Sequence, residues 1–206
     1  AGLQSGSIRR CEVNATIVGG FATGGVVGES NKSSEVSECY VKADLSSVLA
    51  EGDTGCNIGG IAGTVGGTLT DCRADVSVNA TYGYAGGIAR LLDAGGEIRS
   101  CLVTGSVYAY RSSGALYECM GTVTDSLSLC TVLSADPDLE GRGFIGTAET
   151  SSVIENCYAV NEGPFVPVID KADVTTQFVY ERLGWSPDVW TDGADGLPDL
   201  AWRTAV

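Results

Sequence analysis

Histidine is absent from this 206-residue chain. That single absence removes Ser-His-Asp and Cys-His nucleophile systems, His-containing zinc sites and the usual neutral-pH proton shuttle. Basic residues are scarce, 12 against 26 acidic ones, giving a formal charge of −14. A nucleic acid or an anionic membrane needs counter-charge, so neither is an expected partner. Charged residues of both signs make up 18%, below the ~25% usual in soluble domains. No apolar run approaches the ~18–20 residues that would span a bilayer, so membrane insertion is not expected. No Cys-x-x-Cys pair exists to start a zinc site. No basic-plus-apolar leader is present, and the chain opens at Ala1 without Met. A removed or trimmed secretion signal would leave such a start, so the sequence is silent on targeting. What is abundant is glycine, with 29 residues. Much glycine, little charge and many Val, Thr and Ser suit short strands joined by tight turns.

Two small landmarks recur five times. The first is Gly-hydrophobic-hydrophobic-Gly, as in Gly25-Val26-Val27-Gly28, Gly60-Ile61-Ala62-Gly63 and Gly143-Phe144-Ile145-Gly146; worn copies are Gly87-Ile88-Ala89-Arg90 and Gly114-Ala115-Leu116-Tyr117. The second is an apolar residue, two polar residues and cysteine: Val36 to Cys39, Leu69 to Cys72, Ile98 to Cys101 and Ile154 to Cys157, with Val123 to Ser126 as an oxygen version. From leading glycine to Cys or Ser the offsets are 14, 12, 14, 12 and 14 residues. A constant offset over five units marks a repeat protein. The spacing from Cys or Ser to the next glycine varies more, at 14, 21, 15, 13 and 17 residues. One loop per unit therefore absorbs insertions, most clearly around Leu45–Gly55.

After each cysteine the residues alternate. Ala74, Val76 and Val78 share one parity, with Arg73, Asp75, Ser77 and Asn79 on the other. This is a half-buried strand whose first inward residue is the cysteine. The apolar residue three places earlier has the wrong parity for the same straight strand, so a corner is expected at the polar pair. The glycine unit supplies a third short strand. Three strands per ~25–33 residues, stacked at about 4.8 Å, predict an all-β parallel β-helix (β-solenoid) of about five to six coils. The unit at Ser126 fits least well: Leu127 and Leu129 fall on the outward parity, so either its register shifts by one or a loop covers them.

The Gly-Gly-Ile-Ala-Gly and Ile-x-x-Cys units resemble the GLUG repeat of large bacterial cell-surface proteins, which include IgA-specific metallopeptidases and adhesin-like proteins. The similarity runs from about Ile8 to Ala159. The closing stretch, Phe178 to Trp185, Val189-Trp190, Gly196-Leu-Pro198 and Leu200-Ala-Trp202, also looks like the end that follows such repeats. The resemblance implies a surface-exposed, non-catalytic β-helical module. The chain departs from the pattern at Arg90, Tyr117 and Ser126, and with no His-Glu-x-x-His the peptidase activity is not carried over.

Five cysteines, Cys11, Cys39, Cys72, Cys101 and Cys157, occupy one repeat position. Stacked in register, their side chains would run parallel about 5 Å apart, whereas a disulfide wants crossed Cβ vectors. Buried free thiols are expected there, with Cys130 as another core filler; Cys56 and Cys119 lie off the column and leave a bridge open. Glu38, Asp71 and Asp125 recur beside the corner, and Ser100 and Asn156 replace them, which favours corner capping over an acid/base row. Asp192, Asp195 and Asp199 read as turn residues rather than a calcium loop. No cofactor, metal or catalytic residue is expected. The candidate ligand-binding residues are Tyr108, Tyr110, Tyr82 and Tyr84, since exposed aromatics stack on sugars or dock proteins.

The chain divides into a repeat domain, residues 1–163, and a C-terminal capping segment, residues 164–206, needed to shield the last coil. Val174, Phe178 and Leu183, with Asp173 ahead and Gly184 behind, predict a short helix there. The strand of Cys11 starts almost at Ala1, so further domains are expected upstream. The expected function is a non-catalytic extracellular structural or adhesion module of a bacterial surface protein. Its partners would be a host glycan or surface protein and the upstream domains of the same polypeptide. The alternatives are a carbohydrate-active β-helix enzyme of lyase or hydrolase type, and an accessory domain of a secreted peptidase.

Overall fold

The computed structural model describes residues 2–48, 55–136 and 141–204. The chain winds as an all-β parallel solenoid of about five turns with three sheets. One sheet stacks Leu3–Gln4, Val27–Ser30, Ala62–Val65, Ala89–Leu92, Leu116–Cys119 and Ile145–Ala148. A second stacks Ser7–Arg9, Glu35–Ser37, Thr68–Thr70, Glu97–Arg99, Thr122–Thr124 and Val153–Glu155. The third and longest stacks Glu12–Gly19, Tyr40–Ser47, Arg73–Gly86, Leu102–Ser113, Leu127–Ser134 and Tyr158–Ala159. Within it Ala22–Gly24 pairs with Asn57–Gly59, and Asn57–Gly59 with the end of Arg73–Gly86. The repeat landmarks align coil on coil: Val36, Leu69, Ile98, Val123 and Ile154 are successive partners. Of the insertion loop expected around Leu45–Gly55, residues 49–54 lie outside the described residues; Leu45 itself is a buried strand residue.

The corner between the second and third sheets is one residue wide. Arg10, Glu38, Asp71, Ser100, Asp125 and Asn156 all take left-handed backbone, with φ between 51° and 53°. That single residue reverses the parity, so the apolar residue two places before it and the Cys or Ser right after it both point inward. Non-glycine residues in this region cost free energy, least for Asn and Asp. The corner is therefore held by contacts to its neighbours.

The thiols supply part of that hold. Each Sγ lies near the carbonyl two residues back: Cys39 to Ser37 at 3.3 Å, Cys72 to Thr70 at 3.2 Å, Cys101 to Arg99 at 3.3 Å and Cys157 to Glu155 at 3.2 Å. Ser126 Oγ does the same to Thr124 at 2.8 Å. The position also accepts along the axis. Cys39 N–H donates to Cys72 Sγ at 3.4 Å, and Cys101 N–H donates to Ser126 Oγ at 3.1 Å. A small side chain that both donates and accepts is what the site selects, which is why oxygen can stand in for sulfur. All eight cysteines are free, Cys56 and Cys119 included, and both of these are buried core residues.

The leading glycines permit the tight stacking. A Cβ on Gly60 would lie 2.0 Å from Gly87 O, one on Gly87 would lie 2.2 Å from Gly114 O, and one on Gly114 would lie 2.1 Å from Gly143 O. Each glycine thus rests on the carbonyl of its equivalent in the next coil.

The closing segment holds the expected short helix, Thr176–Leu183. Its N-cap is Thr175, whose hydroxyl accepts from Phe178 N–H, rather than Asp173, which ends a preceding 3-10 turn, Lys171–Asp173. Gly184 ends the helix in left-handed backbone as expected. Val166 joins the main core at the last turn, and Ile169 N–H donates to Ala159 O. The chain then turns back along the flank of the stack. Asn156 donates to Arg182 O, Trp185 Nε1 to Asp125 O (2.7 Å), Trp190 Nε1 to Asp71 Oδ1 (3.2 Å) and Trp202 Nε1 to Glu38 O (2.9 Å). Arg203 reaches Glu12 at the first coil. All three tryptophans therefore fasten one strap to the corner column, running from the last coil to the first. Under it lies a second apolar cluster: Tyr40, Leu102, Leu127 and Leu129 from the solenoid, Val179, Leu183, Trp185 and Trp190 from the strap. Leu127 and Leu129 keep their register, paired with Leu102 and Thr104; it is the strap that covers them.

Candidate functional site

The outward face of the long sheet is split. Next to the corner, Tyr40, Arg73 and Leu102 follow one another in register and lie under the strap. Arg73, outward by parity, is only 3% exposed and donates to Asp75 (3.1 Å), Asp195 (2.5 Å) and Pro198 O (3.0 Å). At the far end of the same strands no other described residue lies across the sheet. There Asn79, Tyr108 and Leu133 are in register, with Tyr108 38% and Leu133 59% exposed. The register slips between Ala80 and Tyr84, so that residues 81–83 bulge opposite Tyr110 alone. This puts Tyr82 (42% exposed) on the coil beside Tyr110 (39% exposed). The structure thus gathers Tyr82, Tyr108 and Tyr110 on one bare edge.

Tyr84 goes elsewhere. Its ring stacks on Tyr117 with centroids 5.0 Å apart, in the re-entrant angle between the long sheet and the glycine-unit sheet. Arg90 lies 5.3 Å from the Tyr84 centroid and 5.7 Å from that of Tyr117, and pairs with Glu118 at 3.1 Å. The neighbouring column explains the room: between the paired residues Ala62/Ala89/Leu116/Ile145 and Thr64/Leu91/Glu118/Thr147 stand Gly63, Arg90, Tyr117 and Gly146. A Cβ on Gly146 would sit 2.8 Å from Tyr117 Cδ2, so this glycine makes way for the ring. Arg111 is the in-register neighbour of Tyr84. Its Nη1 is 3.4 Å from Tyr117 Oη and its Cζ 5.9 Å from the Tyr110 centroid. Tyrosine contacts push its guanidinium pKa further up, the Tyr117 hydrogen bond first. A cleft of about 730 Å³ opens here, lined by Arg111, Tyr117, Arg142, Gly146, Thr147 and Glu162 among others.

The sequence pointed to the tyrosines but not to Arg90, Arg111, Tyr117 or Arg142. A usable signal was there: Arg90 and Tyr117 are the very places where the repeat loses its glycine.

The corner carboxylates are engaged in holding structure. Burial raises the Glu38 carboxyl, but hydrogen bonds from Arg10 and Arg9 outweigh it and leave the pKa below the ordinary value. Burial keeps Asp71 raised despite the Trp190 N–H and Arg99. Asp125 accepts from Asn156 at 2.7 Å. Burial likewise pushes the Cys130 and Cys157 thiols up to about 12, so they stay protonated and poorly nucleophilic. Of the terminal aspartates, Asp195 pairs with Arg73 and Asp199 with Arg203.

Neither a family model nor a curated protein matches the chain. Among solved structures it is similar to a crystal structure described as a putative immunoglobulin A1 protease from Bacteroides ovatus, with a TM-score of 0.57 and 21% identity. The match covers 95% of this chain and 57% of that one, so the chain spans little more than half of that protein. At this identity the likeness concerns the fold: a β-solenoid arrangement shared with one region of a larger protein. No helix among the described residues is long and apolar enough to cross a membrane.

Proposed function

We propose that the chain is a non-catalytic β-helical module of an extracellular bacterial surface protein, of GLUG-repeat type, and that it contacts a host glycan or surface protein through its tyrosine edge. The module comprises the stack, residues 1–163, and its closing segment, residues 164–206. One observation carries this reading: the outer face of one sheet is sealed at the corner and left bare, with three exposed tyrosines, at the far end. Aromatic rings that fill no core are suited to sugar and protein contact. The corner acids, which an enzyme of the β-helix type would need free, are taken up by arginines, tryptophan N–H groups and an asparagine. The Bacteroides ovatus likeness leaves room for a second reading, an accessory domain beside a peptidase in a longer polypeptide.

The test is binding of the purified chain to a glycan array and to host-cell surfaces, with a Tyr108→Ala/Tyr110→Ala variant alongside. Retention lost in the variant supports the proposal. Release of reducing ends or unsaturated sugars from a polysaccharide panel would replace it with the enzyme alternative.

A further inference from the structure

Arginine is the chain's main cation, and most of it is spoken for. Among the described residues Arg9, Arg10, Arg73, Arg90, Arg99 and Arg203 each pair with a carboxylate. Arg111, Arg142 and Arg182 pair with no carboxylate among the described residues, and two of these three, Arg111 and Arg142, line the same cleft, where Glu162 is the carboxylate beside them. In a chain of net charge −14 a cleft lined by two arginines and one carboxylate carries a local excess of positive charge. The Tyr117 wall of the cleft is supported from behind: Arg90, paired with Glu118, packs against Tyr84 and Tyr117, and Gly146 yields space to the Tyr117 ring. The Arg111 guanidinium lies among Tyr84, Tyr110 and Tyr117 and touches both regions, the cleft through Tyr117 and the bare edge through Tyr110.

From this arrangement we infer that the cleft binds the charged group of an anionic saccharide, carboxylate- or sulfate-bearing. The oxyanion lies between Arg111 and Arg142, and the adjoining sugar rings lie against Tyr110 and Tyr108. Guanidinium forks match planar oxyanions and keep their charge at any physiological pH, while the tyrosines offer apolar faces with a polar rim. Arg90 is a positioning residue: it holds the two stacked rings and stays out of the anion's reach, because Glu118 already occupies it. The inference rests on the adhesion reading and narrows its ligand.

The experiment titrates the full chain, isotope-labelled for NMR and in parallel by calorimetry, with three tetrasaccharides: unsulfated chondroitin, 6-sulfated chondroitin and neutral cellotetraose. The expected result is at least tenfold tighter binding of one or both acidic sugars than of the neutral one, weakening as salt rises. Which acidic sugar wins identifies the oxyanion. Arg111→Gln/Arg142→Gln should cost tenfold or more for the acidic sugars, and Arg182→Gln, on the strap helix, should cost nothing. Equal binding of neutral and acidic sugars overturns the inference while leaving glycan adhesion standing, and so does acidic binding that survives the double substitution. Absence of binding by all three sugars also overturns it; the adhesion reading is then judged by the array and cell-surface assays.

Discussion

The two halves of the long sheet's outer face share strands, register and parity, yet they meet opposite fates. Near the corner, Arg73, Leu102 and Leu127 are buried under the strap; some six residues further along, Asn79, Tyr108 and Leu133 face solvent. Alternation along a strand decides only which side chains enter the coil's own interior. Whether the other side is covered depends on a segment far away in sequence. The covered half carries Tyr40, Leu102, Leu127 and the deeply buried Arg73, the bare half Asn79, Tyr108, Tyr110 and Leu133; with a tyrosine and a leucine in each, cover and not residue type sets the fate.

The sharpest control on this comparison attacks the interior that both halves share. Gly60→Val places a branched side chain against Gly87 O and Val76, with no flexible atom to yield on the carbonyl side. A loss of more than about 4 kcal/mol in urea unfolding is expected, and both halves should melt together; a melting temperature within a degree of the parent would contradict that packing. Trp190→Ala breaks the covered half alone. Trp190 is fully buried on Trp185, with centroids 4.2 Å apart, so about 3–5 kcal/mol should be lost. Hydrogen exchange should then rise along Tyr40–Ser47 and Leu102–Ser113 near the corner, with Asn79–Tyr82 little changed. Smaller again is the corner ladder: Cys72→Ala leaves Cys39 N–H without its acceptor and should cost about 1–3 kcal/mol, while Cys72→Ser should stay within about 1 kcal/mol. A reversed order would show that sulfur fills space there without bonding. Least of all, Tyr108→Ala should change stability by no more than about 0.5 kcal/mol, since Tyr108 is 38% exposed and no other described residue packs over that half. A large loss would mean the bare edge is structural.

Much of this was legible beforehand. The glycine and cysteine landmarks fixed the sheets and their register, because a repeat that stacks must place like residues over like. The corner, too, followed from parity, although its narrowness did not: one left-handed residue, not a bent pair, makes the turn. Leu127 and Leu129 looked misplaced because their cover comes from Val174 to Trp190, whose own sequence signals only a helix and some tryptophans. The parity of Arg73 is outward as the alternation has it, but its burial is not legible, its partner Asp195 being 122 positions away. In the cleft, Arg111 gave no periodic signal, and Arg90 and Tyr117 registered only as missing glycines. Local patterns report on a coil; they are blind to what later lies across it.

The strap has a consequence in time. Arg203 fastens to Glu12 across 191 positions, so at about 5–20 residues per second a ribosome makes the first rung roughly 10–40 s before its clasp. During that wait the nascent rungs can pair, yet Leu102, Leu127 and Leu129 stand uncovered and sticky. Newly made copies crowded together are therefore at their most vulnerable just before the strap is made, and a holdase-type chaperone would find its footing on that leucine stripe.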